Sequence, residues 1–414
     1  MKVLILTHFS RGDIQPFAAL AKSLSEQGHE VTVGAPETSA HLFHANAQRV
    51  LRFQDRTKKI VNDPHIRGLS RKNVPLQLIP RVQRERAGML DDFASAADEK
   101  PDIVIHSAAL PGHQIAELLG VPAVPVCAHP SWVPTTSFAN PFFPYALPSS
   151  LNRSSYAWTG LVMRTLFPTV GRWRRRTLGL PPRRGHRNVM LRPDGTPTVA
   201  LQAFSRHVLP SPLRYPKWVH TTGYWLLPTA PDRREAPTAL SAFLEAGDPP
   251  ICIGFGSMAL TEPRRLGRTV AEAVRLADVR AVVVGGWGAI DPHELPDEIA
   301  YVQETSFDWL FPRVAAIVHH GGNGTIGYAL AAGRPQVVCP FSTTDQAFYA
   351  RQLHSCGVAP PPQPYRDLTP ERLARAIHQA VTDGRLARRA HELGDRIRAE
   401  DGPTKAVKIL ETVP

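Results

Sequence analysis

The chain predicts an α/β protein of two parallel-sheet domains, and three observations carry that prediction. Its 414 residues exceed what one ordinary core organises and suit two domains of roughly 200 residues each. Short apolar runs alternate with amphipathic helical stretches from the N-terminus onward, the pattern of a parallel sheet crossed by helices. A second such series starts at Ile251, after proline-rich polar segments between Pro210 and Pro237, which divides the chain into 1–212 and 213–414.

In chain order, Met1 to Thr7 holds one basic residue and a very short apolar run, so it reads as a first strand and not a leader, and the expected location is the cytoplasm. Phe17, Leu20, Ala21 and Leu24 share one helical face, Gly28 stops that helix, and His29 to Gly34 supplies the second strand. The loop between them lacks a GxGxxG fingerprint, yet it lies at the strand's C-terminal edge, where α/β proteins gather their chemistry. From Arg49 to Gly88 the chain is basic and proline-interrupted, without a clear period. Asp102 to His106, His113 to Leu119 and Pro122 to Cys127 continue as strand, helix and strand. Between Leu151 and Arg187, Trp158 and Trp173 alternate with arginines, which fits either a solvated helix face or an amphipathic helix touching a membrane. The second series runs through strands at Ile251 to Phe255, Arg280 to Val284, Ala315 to Val318 and Gln336 to Cys339. Thr369 and Pro370 then open a helix carrying Leu373, Ile377 and Val381 on one face.

Composition narrows the classes. A net charge of +12 invites an anionic partner, but arginine spread along the chain without a recognised nucleic-acid module argues against DNA or RNA. No apolar stretch is long enough to cross a bilayer. Cys127, Cys252, Cys339 and Cys356 show no ligand spacing and read as reduced structural residues.

The stretch from Ile317 to Gln346 concentrates the chemistry. A strand ends in His319-His320-Gly321-Gly322-Asn323-Gly324-Thr325, and a helix follows. Unpaired N–H groups at such a helix start can hold a phosphate, with Thr325 and a histidine as side-chain donors. Asp345-Gln346 follows the next strand, at the edge where open α/β sheets bind ligands. This arrangement resembles the donor-sugar signature of the UDP-glycosyltransferase superfamily, whose GT-B fold sets two Rossmann-like domains across a cleft with a C-terminal helix crossing back to the first. The HHGGxGT form is similar to the branch of sterol glucosyltransferases and bacterial glycopeptide and macrolide glycosyltransferases. In that branch the residues matching His320, Gly322, Gly324 and Thr325 meet the diphosphate, and those matching Asp345 and Gln346 hold sugar hydroxyls.

Three further segments carry the resemblance. Ser10-Arg11-Gly12-Asp13-Ile14-Gln15-Pro16 resembles the SRGDVQP loop, which implies Asp13 as general base with Ser10 orienting it. Taken alone, Asp13 reads as an Asx-turn or helix N-cap residue. His8 is a second candidate for base and lines the acceptor side; Phe9 departs from the usual glycine. The segment from His129 to Phe143 resembles the branch's PWTPTSxFPHP segment, implying that Trp132, Phe138 and Phe142 line the acceptor cleft, although such aromatics also serve as core. The GFGSM run also matches the branch and implies Ser257 near the donor phosphate; Trp287, after the strand Arg280 to Val284, is expected beside the donor sugar, and Tyr301 to Phe311, with Ser306-Phe307, corresponds to the segment that cradles the nucleobase in relatives. The implied reaction is inverting transfer of a sugar from a UDP- or dTDP-linked co-substrate to a hydroxyl of a lipophilic acceptor, with no cofactor and no metal. A nucleotide-sugar 2-epimerase and a non-catalytic auxiliary protein are the alternatives.

Overall fold

A computed structural model describes residues 1–61, 63, 78–229, 238–256, 258, 262–342 and 344–414. Among the described residues the strands form two all-parallel sheets, one of seven strands and one of five. The first contains β1 (Lys2–Leu6), β2 (Glu30–Pro36), β3 (Arg49–Phe53), β4 (Ile103–Ser107), β5 (Ala123–Cys127), β6 (Ala200–Gln202) and β7 (Val219–Thr221), in the order β3-β2-β1-β4-β5-β6-β7. The second contains β8 (Ile251–Gly254), β9 (Ala281–Val284), β10 (Ala300–Val302), β11 (Ile317–His319) and β12 (Gln336–Val338), in the order β10-β9-β8-β11-β12. In each sheet the order reverses beside the first strand of its series, and such a switch point opens a crevice at the strands' C-terminal ends.

The central strands are apolar because both faces are covered: Val3, Leu4, Ile5 and Leu6 are all buried. On one face lies α1 (Arg11–Glu26), whose Phe17, Leu20, Ala21 and Leu24 are buried, each large side chain contributing roughly 1.5–3 kcal/mol. Gly28, at φ 81°, turns the chain out of that helix. The α4 helix (His113–Leu119) lies between β4 and β5 in sequence.

Four strands differ from the sequence expectation, one of them the three-residue edge strand β10. β3 (Arg-Val-Leu-Arg-Phe) sits at the sheet edge with a mostly half-exposed pattern, so its arginines mask the alternation. β6 and β7 are three residues each, too short to show a period. β7 pairs with β6, so the first sheet extends through Thr221, past the division expected after residue 212.

The second domain adds α8 (Pro263–Ala277), α10 (Asn323–Ala331), α11 (Asp345–Ser355), α12 (Pro370–Thr382) and α13 (Gly384–Arg398). The last helix, α14 (Gly402–Leu410), returns to the first domain: Ala406, Val407 and Leu410 are buried in one apolar cluster with Val3, Ile5 and Phe17. Apolar packing, and not a linker alone, therefore ties the two halves.

Candidate active site

Two helix starts meet between the domains. The loop after β1 leads into α1, and the loop after β11 leads into α10; a Cβ placed on Gly324 would lie 3.6 Å from the Gly12 Cα. The same contact is fastened by side chains, with Gln15 Nε2 donating to the Tyr328 hydroxyl at 2.7 Å and Asn323 Nδ2 donating to the Ala128 carbonyl at 2.7 Å. Asn323, a residue the sequence left without a role, thus joins α10 to the end of β5.

Asp13 occupies the third position of α1, where its half-buried carboxylate reaches back to the cap. Its Oδ2 accepts the Ser10 amide at 3.0 Å and the Ser10 hydroxyl at 2.6 Å. This is a capping box, and both bonds land on one oxygen, so the cap itself leaves Oδ1 unused. Ser10 does hold Asp13, and the capping and catalytic readings are compatible. Phe9 adopts φ 84°, the left-handed conformation for which glycine is the natural residue. A bulky residue held there stores strain, as residues near functional sites often do.

Behind the loop, His8 is fully buried. Its Nδ1 accepts the Phe9 amide at 2.9 Å, and its Nε2 lies 3.7 Å from Asp92 Oδ2. Asp92, on α3 (Ile79–Ala94), also pairs with Arg56 at 2.9 Å. Burial alone would raise the Asp92 carboxyl, but the bonds and charges of His8 and Arg56 outweigh it and hold the group below the ordinary carboxylate range. His8 therefore supports the strained loop from beneath. The Arg56–Asp92 pair joins segments 36 residues apart, and no local pattern in the sequence announces it.

On the donor side, His319 ends β11, with Nε2 at 2.9 Å from Gln336 Oε1 and Nδ1 accepting the Gly321 amide at 3.0 Å. His320 is the residue turned into the glycine turn: its Nε2 lies 2.4 Å from where a Gly322 Cβ would sit, and its buried Nδ1 has no hydrogen-bond partner among the described residues. Burial, reinforced by neighbouring His319, pushes His320 down to about 3, so the ring is neutral near pH 7. Gly322 caps α10, and Gly324 and half-buried Thr325 lie in its first turn. Gly321, at φ 90°, passes beside Gln346: a Cβ there would stand 3.1 Å from the Gln346 carbonyl.

Asp345 and Gln346 open α11. Asp345 Oδ1 accepts the Thr344 hydroxyl at 2.9 Å, while Gln346 Oε1 accepts the Phe341 and Ser342 amides at 2.8 and 3.2 Å. The Gln346 side-chain oxygen pins its own loop, and its Nε2 donates to the Met258 thioether sulfur at 3.7 Å. Half-buried Trp287 follows β9, its amide donating to the Gly256 carbonyl at 3.0 Å. Ser306 caps α9 (Phe307–Leu310), and Phe307 stacks on Phe311 with centroids 4.5 Å apart. Ser257 lies outside the described residues.

The aromatics expected on the acceptor side divide. Phe138 is buried and packs on Phe348 at 5.2 Å, serving the interdomain core. Trp132 is half-buried, and Phe142 presents an edge to His129 at 5.6 Å. Asn140 organises this segment, its Nδ2 donating to the Ser131 carbonyl at 3.2 Å and the Thr159 hydroxyl at 2.6 Å.

Comparison with known proteins places these features. Residues 3–122 match the glycosyltransferase family 28 N-terminal domain, and residues 270–413 match the erythromycin biosynthesis protein CIII-like C-terminal domain. Over 99% of its length the chain is 34% identical to the sterol 3-beta-glucosyltransferase of Emericella nidulans and 32% identical to that of Aspergillus fumigatus. It spans 30% of the length of each. Among solved structures, the glycotransferase of kitacinnamycin aligns with TM-score 0.73 at 19% identity, covering 100% of this chain and 99% of that one. The glycosyltransferase VinC in complex with dTDP aligns with TM-score 0.65 at 21% identity, covering 100% and 99%. The spinosyn rhamnosyltransferase SpnG complexed with spinosyn aglycone aligns with TM-score 0.62 at 22% identity, covering 100% of both chains. A glycosyltransferase family 28 domain in the first half, an erythromycin biosynthesis protein CIII-like domain in the second and similarity to sterol 3-beta-glucosyltransferases along the chain agree with the two-sheet GT-B fold that it shares with these solved glycosyltransferases.

Proposed function

We propose that the protein is an inverting glycosyltransferase that moves a sugar from a UDP- or dTDP-linked donor to a hydroxyl of a lipophilic acceptor. The observation that carries this reading is the meeting of the α1 and α10 starts, which sets a carboxylate opposite an anion-binding helix terminus. The donor's diphosphate sits at the α10 amides with Gly322, Gly324, Thr325 and neutral His320 as its cradle. Asp345 and the Gln346 amide hold sugar hydroxyls, Trp287 borders the sugar, and the Ser306-Phe307 turn faces the base.

Asp13 removes the acceptor hydroxyl proton as that oxygen forms a bond to the anomeric carbon. The bond to the diphosphate oxygen breaks on the opposite face, and its electron pair leaves with the nucleotide, inverting the centre. Helix α10 offsets the charge developing on the leaving group, so transfer proceeds without a divalent ion. Trp132 and Phe142 line the acceptor entrance.

Sterol glucosyltransferases among the relatives, and aglycone-bound and dTDP-bound glycosyltransferases among the structures, support this substrate class. A matrix of UDP- and dTDP-sugars against sterols and polyketide alcohols, read by mass spectrometry, tests it. One hexose or deoxyhexose added to an alcohol is the expected product. Donor hydrolysis or epimerisation without any glycoside across the matrix contradicts the proposal, as does turnover abolished by chelator and restored by metal.

A further inference from the structure

Arginine occurs throughout the chain, but its net positive charge falls largely in one segment. From Leu118 to Pro193 there is no Asp or Glu, while arginine occurs at ten positions, from Arg153 to Arg192. Two of these are structural: Arg174, buried, pairs with Glu117 at 2.6 Å, and Arg183 pairs with the same carboxylate at 3.1 Å. Trp173 is buried beside them, so the α6 helix (Val170–Arg176) is anchored and does not present its tryptophan to solvent. Six others, Arg153, Arg164, Arg172, Arg175, Arg176 and Arg184, are exposed and carry no ion pair among the described residues.

The same region exposes apolar surface. Helix α5 (Ala157–Leu166) reads Ala-Trp-Thr-Gly-Leu-Val-Met-Arg-Thr-Leu, yet none of its residues is buried. Thr159 is tied inward by its bond to the Ser131 carbonyl at 2.6 Å, and Met163 and Leu166 pack on the first-domain core. Helical spacing then turns Trp158 and Leu161 away from that face, and Leu161 is 51% exposed. Phe143 meets Trp158 and Tyr145 at centroid distances of 5.7 and 6.0 Å, extending the apolar surface to Tyr145, which is 70% exposed. Leu151, 46% exposed, lies in the turn leading to α5.

We infer that this face, formed by Tyr145, Leu151, Trp158 and Leu161 within its arginine rim, docks on an anionic lipid bilayer. Aromatic and aliphatic side chains flanked by arginine suit the boundary between headgroups and acyl chains. A nucleic acid would pair with the arginines but leave Leu151 and Leu161 facing water and phosphate. A second copy, related by a two-fold axis, would bring one arginine-rich face against another. The docking face is also rigidly joined to the segment holding Trp132 and Phe142, because Asn140 and Thr159 bond the two at 2.6 Å. If the reading of that segment as the acceptor entrance holds, docking presents the entrance to lipid; the docking itself does not depend on it.

Co-sedimentation with vesicles tests the proposal, using phosphatidylcholine alone and phosphatidylcholine mixed with phosphatidylglycerol. The full chain is expected to bind the mixed vesicles and remain in solution with the neutral ones. Arg153→Glu with Arg164→Glu should weaken binding at least about tenfold, since each basic residue near an anionic surface contributes about 1 kcal/mol. Tyr145→Ser with Leu161→Ser should weaken it by roughly tenfold or more by removing buried apolar area. All four side chains are exposed, so both variants keep the wild-type circular dichroism spectrum. Absence from mixed vesicles, equal binding to both kinds, wild-type binding by either variant, or tight binding to a single-stranded oligonucleotide in preference to vesicles would each overturn the inference.

Discussion

Asp13 accepts the Ser10 amide and hydroxyl on one carboxylate oxygen, an arrangement that contributes roughly 1 kcal/mol to helix α1 while fixing the direction of the other oxygen. Capping thus supplies the orientation that a base requires. The sequence offers Asp13 as a capping residue but not that Ser10 is the cap and Asp13 its N3 partner, and the proposed role of the carboxylate as base rests on α10 standing opposite it. His320 behaves differently: its burial and its position over Gly322 come from the fold of the turn, and resemblance alone pointed to it. A neutral imidazole donating to an anionic oxygen contributes about 1.5–3 kcal/mol. His320→Ala is therefore expected to weaken UDP or dTDP binding by roughly tenfold or more, and unchanged affinity by calorimetry would reject its role. Asn323 and the His8–Asp92–Arg56 cluster were illegible beforehand because their partners are distant in the chain.

At the scale of elements, the start of α10 makes a graded prediction. A Cβ on Gly322 would lie 2.4 Å from the His320 ring, whereas one on Gly324 would lie at an ordinary 3.6 Å from Gly12. Gly322→Ala should displace His320 and lose at least about tenfold in nucleotide affinity. Gly324→Ala should fold with wild-type thermal stability while reducing turnover, because the methyl group enters the space between the two helix starts. Equal nucleotide affinity in wild type and Gly322→Ala would contradict this geometry. Helix α1 and the buried central strands were readable because both faces of each sheet are covered and the runs are plainly apolar, whereas α3 lies largely in the stretch from Arg49 to Gly88 that shows no clear period. β3 was not readable, since its edge position tolerates arginine, nor were β6, β7 and β10, which are three residues each. The aromatic segment 129–143 shows the limit on side-chain roles: Phe138 belongs to the core between domains, and one-dimensional spacing does not separate it from the half-buried Trp132 and Phe142.

At the scale of the molecule, α14 closes the chain onto the first domain, and the turn before it contains Glu400 against the junction. Glu400 accepts the Ser205 hydroxyl at 2.9 Å, but its other oxygen is buried without a hydrogen-bond partner among the described residues. Burial raises this carboxyl to about 7 despite the Ser205 bond and nearby cations. A raised acid favours folding below its unfolded value, near 4.5, and loses that contribution as pH rises through about 7. Glu400→Gln should therefore gain stability relative to wild type as pH rises across that window, by on the order of 1 kcal/mol. Denaturant melts at about pH 5 and about pH 8 measure this, and a stability difference that does not change with pH would contradict it. In the proposed mechanism the active site is a property of the whole chain, with the base on α1 and the diphosphate cradle on α10, some three hundred residues apart in sequence. Asp13→Asn separates the two halves most directly, with turnover and nucleotide affinity measured on the same preparation. The split site predicts turnover lower by about 10²–10⁴ with UDP or dTDP affinity unchanged; wild-type turnover in that variant would contradict it.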